Sequence, residues 1–139
     1  MQFEVRSINT RYKESQIDNV QVSYKANTES RSVNGNGNFN LSADEYEGNE
    51  SIATLEQMAK QHLLDEVPNL NFEVRSINTR YSDDEVVSVQ ISYTTRNDNR
   101  TVSFNGNFEL SDKEYEENKA MERLEEMAEE IFIEEVNAE

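Results

Sequence analysis

Val20, Val22 and Tyr24 alternate with Gln21, Ser23 and Lys25, the period-two pattern of a strand with one buried face. Further on, Val33, Gly35, Gly37, Phe39 and Leu41 share one parity, and Ser32, Asn34, Asn36, Asn38 and Asn40 share the other. An apolar face backed by a wet one is the mark of an antiparallel sheet covered on one side. The stretch before them is less regular, because Phe3 and Val5 fall on one parity while Ile8 and Tyr12 fall on the other. A bulge or bend near Arg6-Ser7 reconciles them, since one extra residue resets the alternation. Links at 13–16 and 26–30 are short enough to be hairpins.

After Leu41 the period changes. Ser42-Ala43-Asp44-Glu45 fits a capping box, in which hydroxyl and carboxylate each satisfy a backbone N–H at a helix start. Ile52, Leu55, Ala59, Leu63 and Val67 then recur at helical spacing. Gly48-Asn49 is expected to break or kink this helix, and Pro68 to end it.

The same succession is then written a second time. At a constant offset of 69, without a gap, 32 of 69 paired positions are identical. The longest identical run is 3–12, which recurs at 72–81. Val89, Ile91 and Tyr93 repeat the second strand, and Val102, Phe104, Gly106, Phe108 and Leu110 the third. Ser111-Asp112-Lys113-Glu114 repeats the capping box. Met121, Leu124, Ala128, Phe132 and Val136 repeat the helical stripe, which Met127 and Ile131 widen, and Glu117-Asn118 is expected to be kinder to the helix than Gly48-Asn49. Gly37 and Gly106 are expected to let something approach the backbone closely, the helix being the first candidate.

The expected fold is α+β: tandem β-β-β-α units, 1–70 and 71–139, each a three-stranded antiparallel meander with an amphipathic helix on its apolar face. A unit of that size is marginal alone. The two are therefore expected to form a pseudo-two-fold dimer within one chain. Whether the sheets join edge to edge or the helical layers pack together stays open.

Charge narrows the choice of partners. The chain carries 29 acids against 13 bases, a formal charge of -16, and 71–139 holds most of the excess. That balance disfavours direct binding to nucleic acid or an anionic membrane and favours a basic protein surface. There is no cysteine for a disulfide or thiolate site, and no apolar stretch approaches the ~20 residues of a membrane span. No signal segment precedes the first strand pattern, so the expected location is the cytoplasm, that of the host if the protein is phage-encoded.

Candidate chemistry is thin. His62 is the only histidine and its counterpart is Ile131, so packing is the better reading than proton transfer or metal ligation. The acids of the last helix match no calcium loop and read as a solvated face or as a surface for a basic partner. Asn34-Gly35-Asn36-Gly37-Asn38 superficially resembles a phosphate loop but falls inside a strand pattern. Arg6, Arg11 and Arg31, matched by Arg75, Arg80 and Arg100, are expected to neutralise carboxylates across strands, a phosphate grip being the alternative. No catalytic residue, cofactor or metal site is assigned, and an enzyme is the least favoured class.

Residues 3–12, the Val-Gln-Val-Ser-Tyr of 20–24 and the Leu-Ser-Ala-Asp-Glu-Tyr-Glu-Gly-Asn-Glu-Ser of 41–51 together resemble small uncharacterised proteins of Gram-positive bacteriophages and prophages. Small acidic phage proteins are often inhibitors of host enzymes, including anti-restriction and anti-CRISPR proteins. That resemblance implies a DNA-like charge mimic that inhibits a host nucleic-acid enzyme. Glu122, Glu125, Glu126, Glu129 and Glu130 are its candidate partner-binding residues. The alternative is a non-enzymatic structural or assembly component of a phage particle. A charge mimic should be a monomer or small homo-oligomer, and a particle component should self-associate.

Overall fold

The computed structural model describes residues 1–29 and 32–138. Strands β1 (Gln2–Lys13), β2 (Gln16–Asn27) and β3 (Val33–Ser42) lead into helices α1 (Ala43–Tyr46) and α2 (Ile52–Glu66). A 3-10 turn, Val67–Asn69, holds Pro68 and passes the chain to β4 (Asn71–Ser82). Strands β5 (Glu85–Arg96) and β6 (Val102–Leu110) and helices α3 (Asp112–Asn118) and α4 (Met121–Asn137) complete the fold. It is α+β, with one six-stranded antiparallel sheet in the order β1-β2-β3-β6-β5-β4. The alternating positions bury one face beneath the helices and leave the other wet.

The irregular first strand is bulged. Val5 pairs with Tyr24 and Ser7 with Ser23, so Arg6 is the extra residue, and Arg75 is its counterpart in β4. That reset places Phe3, Val5 and Ile8 over one core. A second register shift, at Arg11/Tyr12 and Arg80/Tyr81, brings Ile17 and Val86 opposite the tyrosines and leaves Val87 exposed. Each β1–β2 type hairpin closes on two non-glycine residues with positive φ: Glu14 and Ser15, then Asp83 and Asp84. Such two-residue loops match the strand twist only in this left-handed conformation.

The choice the alternation leaves open is settled at the sheet edge. β3 pairs with β6 from Val33↔Gly106 to Gly37↔Val102, with Gly35 opposite Phe104 at the centre. Asn38 N–H to Thr101 O and Asn107 N–H to Ser32 O, each 2.8 Å, extend the seam. Phe104 stands edge-on to Phe132 of α4 with centroids 5.3 Å apart. The larger apolar cluster thus draws Val102, Phe104, Phe132 and Val136 into the core of the first half. Each such aliphatic or aromatic burial contributes roughly 2 kcal/mol.

Three expectations are corrected. The close approach at Gly37 and Gly106 is made by a tyrosine on the neighbouring strand, since a Cβ would meet the Tyr24 and Tyr93 rings respectively. Each tyrosine lies directly opposite its glycine and spreads over the bare backbone. Helix interruption is not confined to the first copy. Gly48, at φ 91°, follows the end of α1, but Glu117-Asn118 stays helical and the second break comes at Lys119-Ala120. Finally, Ile52 and Met121, which open the two stripes, are half exposed, and burial begins at Leu55 and Leu124.

Both capping boxes form. Ser42 accepts from the Glu45 N–H while Glu45 accepts from the Ser42 N–H, and Ser111 with Glu114 does the same. Backbone hydrogen bonding, then the serine hydroxyl, holds Glu45 and Glu114 below the usual carboxylate range.

Candidate functional site

The five glutamates singled out on α4 do not act as one free row. Glu126 and Glu130 both contact Arg123, at 3.3 and 3.5 Å. Glu125 is half-buried and turned to the sheet, where its carboxylate accepts from the Val74 N–H of β4 at 3.3 Å. Glu122 and Glu129 remain without a cationic partner among the described residues. Exposed ion pairs contribute at most about 1 kcal/mol, so Arg123 tempers the local field more than it holds the helix.

Glu56 of α2, the counterpart of Glu125, accepts from the Val5 N–H at 3.4 Å. Since β1 and β4 are the outer strands, both carboxylates occupy N–H groups that face away from the sheet. Pattern reasoning missed this role, yet a signal existed. Among the positions of α2 matched in α4, the identities are apolar except for Glu56/Glu125 and Glu66/Glu135.

The arginines divide. Arg6 reaches Glu4 at 3.4 Å and Arg75 reaches Glu73 at 3.1 Å, each two residues back along its own strand instead of across strands. Arg80 does cross, passing over β5 to Glu109 at 3.5 Å. Arg11 and Arg100 have no carboxylate partner among the described residues, and Arg31 lies outside them. Arg6, Arg11, Arg75 and Arg80, with Lys25 and Arg96, leave the open sheet face with a modest cationic excess, since Glu4, Glu73 and Glu109 offset three of the six. Asn34, Arg75, Ser92, Thr94, Asn105 and Asn107 line a shallow depression of 360 Å³ there.

His62 packs as its isoleucine counterpart suggests. It stacks on Phe39 at 5.3 Å and meets Tyr24 edge-on at 6.4 Å. Burial pushes its pKa down, against the pull of Glu66 and Asp65. Its Nδ1 and the Tyr24 hydroxyl are buried without a hydrogen-bond partner, and desolvation raises the phenol pKa further. His62 is thus packed against the Phe39 and Tyr24 rings. The Asn34–Asn38 glycines lie within β3, and no cluster of three metal-ligating side chains occurs among the described residues.

Two buried polar residues close the β2–β3 and β5–β6 loops and were not legible beforehand. The Thr28 hydroxyl accepts from Val33 N–H, and its counterpart Asn97 accepts from Thr101 N–H and Val102 N–H. Asn97 also donates to Glu66 at 3.2 Å, tying the second loop to the end of α2.

No helix is long and apolar enough to cross a membrane among the described residues. Comparison with known protein families, characterised proteins and solved structures finds no match to this chain.

Proposed function

We propose that the chain is a non-enzymatic, acidic protein-binding module: two β-β-β-α repeats fused as a pseudo-two-fold dimer, offering its helical side to a basic protein surface. In the phage context suggested by its phrasing, it inhibits a host nucleic-acid enzyme of the kind that restriction or CRISPR systems supply, standing in for DNA phosphates. The carrying observation is the division of charge. Carboxylates crowd the helical layer, while Arg6, Arg11, Lys25, Arg75, Arg80 and Arg96 outnumber Glu4, Glu73 and Glu109 on the opposite face of the sheet. A groove built for DNA attracts the first surface and repels the second.

The two-fold reading draws on the seam, where every paired residue and its partner exchange places under the 69-residue offset. Within the helical side, Glu122 and Glu129 are the least neutralised of the five candidates, and Glu125 is better placed to hold β4. The test is capture from host lysate at low salt, followed by elution with a duplex DNA fragment. A DNA-binding enzyme displaced by the duplex, and no longer captured by the Glu122→Gln/Glu129→Gln variant, is the expected result. Captured proteins indifferent to the duplex would sink the mimicry. The alternative, a particle component, draws on the two outer strands.

A further inference from the structure

The longest identical run between the copies lies on the outer strands, where packing demands least. Residues 3–12 form most of β1 and 72–81 most of β4, at the two ends of the sheet. Their exposed side chains are all retained, including Arg6, Asn9, Arg11 and Tyr12. Many exposed positions elsewhere have drifted, as Lys13 to Ser82, Lys25 to Thr94 and Asn40 to Glu109, and those kept include Ser42 and Glu45, which serve the capping boxes.

We infer that this run is a homotypic docking strand for a second copy of the chain, and that Glu56 and Glu125 hold it in check. The sequence is chemically self-complementary when laid antiparallel on itself. Phe3 then faces Tyr12, Glu4 faces Arg11 and Val5 faces Thr10, and the same three pairs recur beyond the centre. The register also suits the backbone. Val5 is shown to turn its N–H outward by its bond to Glu56. Val5 and Thr10 pair with Tyr24 and Val20 of β2, positions of like parity, so alternation in an antiparallel ladder turns the Thr10 N–H outward as well. Each strand carries one bulge between these residues, so two copies keep step.

Side chains agree with this. Phe3, Val5 and Thr10 face the helices, whereas Glu4 and Arg11 face the open side, so like meets like across the new pair. Arg11 has no carboxylate partner among the described residues and can share Glu4 with Arg6, whereas Arg80 must leave Glu109 to reach Glu73; all of these pairs are exposed and cost little to exchange. Tyr12 and Tyr81, each 68% exposed, would cover Phe3 and Phe72 of the incoming strand. Because both edges carry the run, either can meet either, and the sheet can lengthen at both ends. Glu56 and Glu125 oppose this by occupying the Val5 and Val74 N–H groups, which a second strand must claim. The inference stands apart from the charge reading, which concerns the helical side.

Sedimentation velocity over a concentration series tests it on the full chain. The Glu56→Ala/Glu125→Ala variant should self-associate at a roughly tenfold lower concentration than the parent. In that background, Arg11→Glu/Arg80→Glu should abolish association, and exchanging Glu4 and Glu73 for Arg in the same chain should restore it. Thr10→Pro/Thr79→Pro removes the outward N–H groups and should also keep copies apart; if proline unfolds the sheet, the exposed charge reversals still decide. A Glu56→Ala/Glu125→Ala protein that stays a single copy overturns the inference. Self-association insensitive to the edge variants overturns it too, while leaving an assembly role through another surface standing.

Discussion

Gly35 lies directly opposite Phe104 across the seam between β3 and β6, and the two occupy the same place in the two copies. A position that faces its own equivalent would carry one residue twice in a dimer of identical chains. Two rings would collide there, since even a Cβ on Gly35 meets the Phe104 ring and backbone. Two glycines would leave empty the space that Phe104 fills against Phe132. Gly35→Ala should therefore cost about 1–3 kcal/mol through overpacking, and Phe104→Ala about 3–5 kcal/mol through the cavity left. The double variant should cost less than the sum, because losing the ring relieves one of the clashes a Cβ on Gly35 makes, while those with the Ser103 carbonyl and the Phe104 Cα remain. Urea unfolding measures all three; additive losses would mean that the backbone, and not the Phe104 ring, sets the cost at Gly35.

The hairpin tips should be improvable. Glu14, Ser15, Asp83 and Asp84 hold positive φ without being glycine, at a steric cost to each. Replacing either pair by Asn-Gly should raise stability by about 1 kcal/mol per hairpin. Thermal unfolding of the two single-hairpin variants and their combination checks it, with an unchanged or lower Tm counting against the turn geometry.

One helix start has lost its cap. The Ser51 hydroxyl accepts from Thr54 N–H at 3.2 Å, whereas its counterpart Ala120 offers no side-chain bond to α4. Ala120→Ser should stabilise by about 1 kcal/mol and Ser51→Ala destabilise by a similar amount. Denaturant midpoints of the two reciprocal variants should move in opposite directions.

His62 should impose a pH dependence on the first half. Because burial lowers its pKa, the folded state prefers neutral imidazole. The unfolded chain binds the proton nearer pH 6.5, so this stability is fully present above that value and drains away as pH falls below it. Replacing His62 by isoleucine, the residue its counterpart position carries, should flatten the Tm profile across this window. The glutamates of the capping boxes titrate lower and should leave the same acid limb in both proteins. Parallel profiles would remove His62 as the cause.

Much of the fold was legible because β2, β3 and their counterparts alternate cleanly where they are buried and capping boxes mark the starts of α1 and α3. Phe3, Val5 and Ile8 betrayed the first bulge, since no straight strand could bury all three. The second bulge had no such signal, as Tyr12 is exposed and Ile17 only half-buried. Gly37 and Gly106 were recognised as sites of close approach, but what approaches depends on cross-strand register, which one strand's pattern does not contain. The break at Lys119-Ala120 escaped because neither residue is a helix breaker. Among the candidate glutamates, composition showed a crowded face, but Arg123 and the Val74 N–H decide which carboxylates are free. Those are tertiary relations with no periodic trace.

The uneven charge of the helical layer and the open face, the latter only partly offset by Glu4, Glu73 and Glu109, gives the molecule an electrical polarity across the sheet. Under the proposed function, a cationic partner would exert a torque on it that turns its helices forward before any contact is made. A larger share of encounters would then begin in a productive orientation, and added salt should erode that share faster than it loosens a complex already formed.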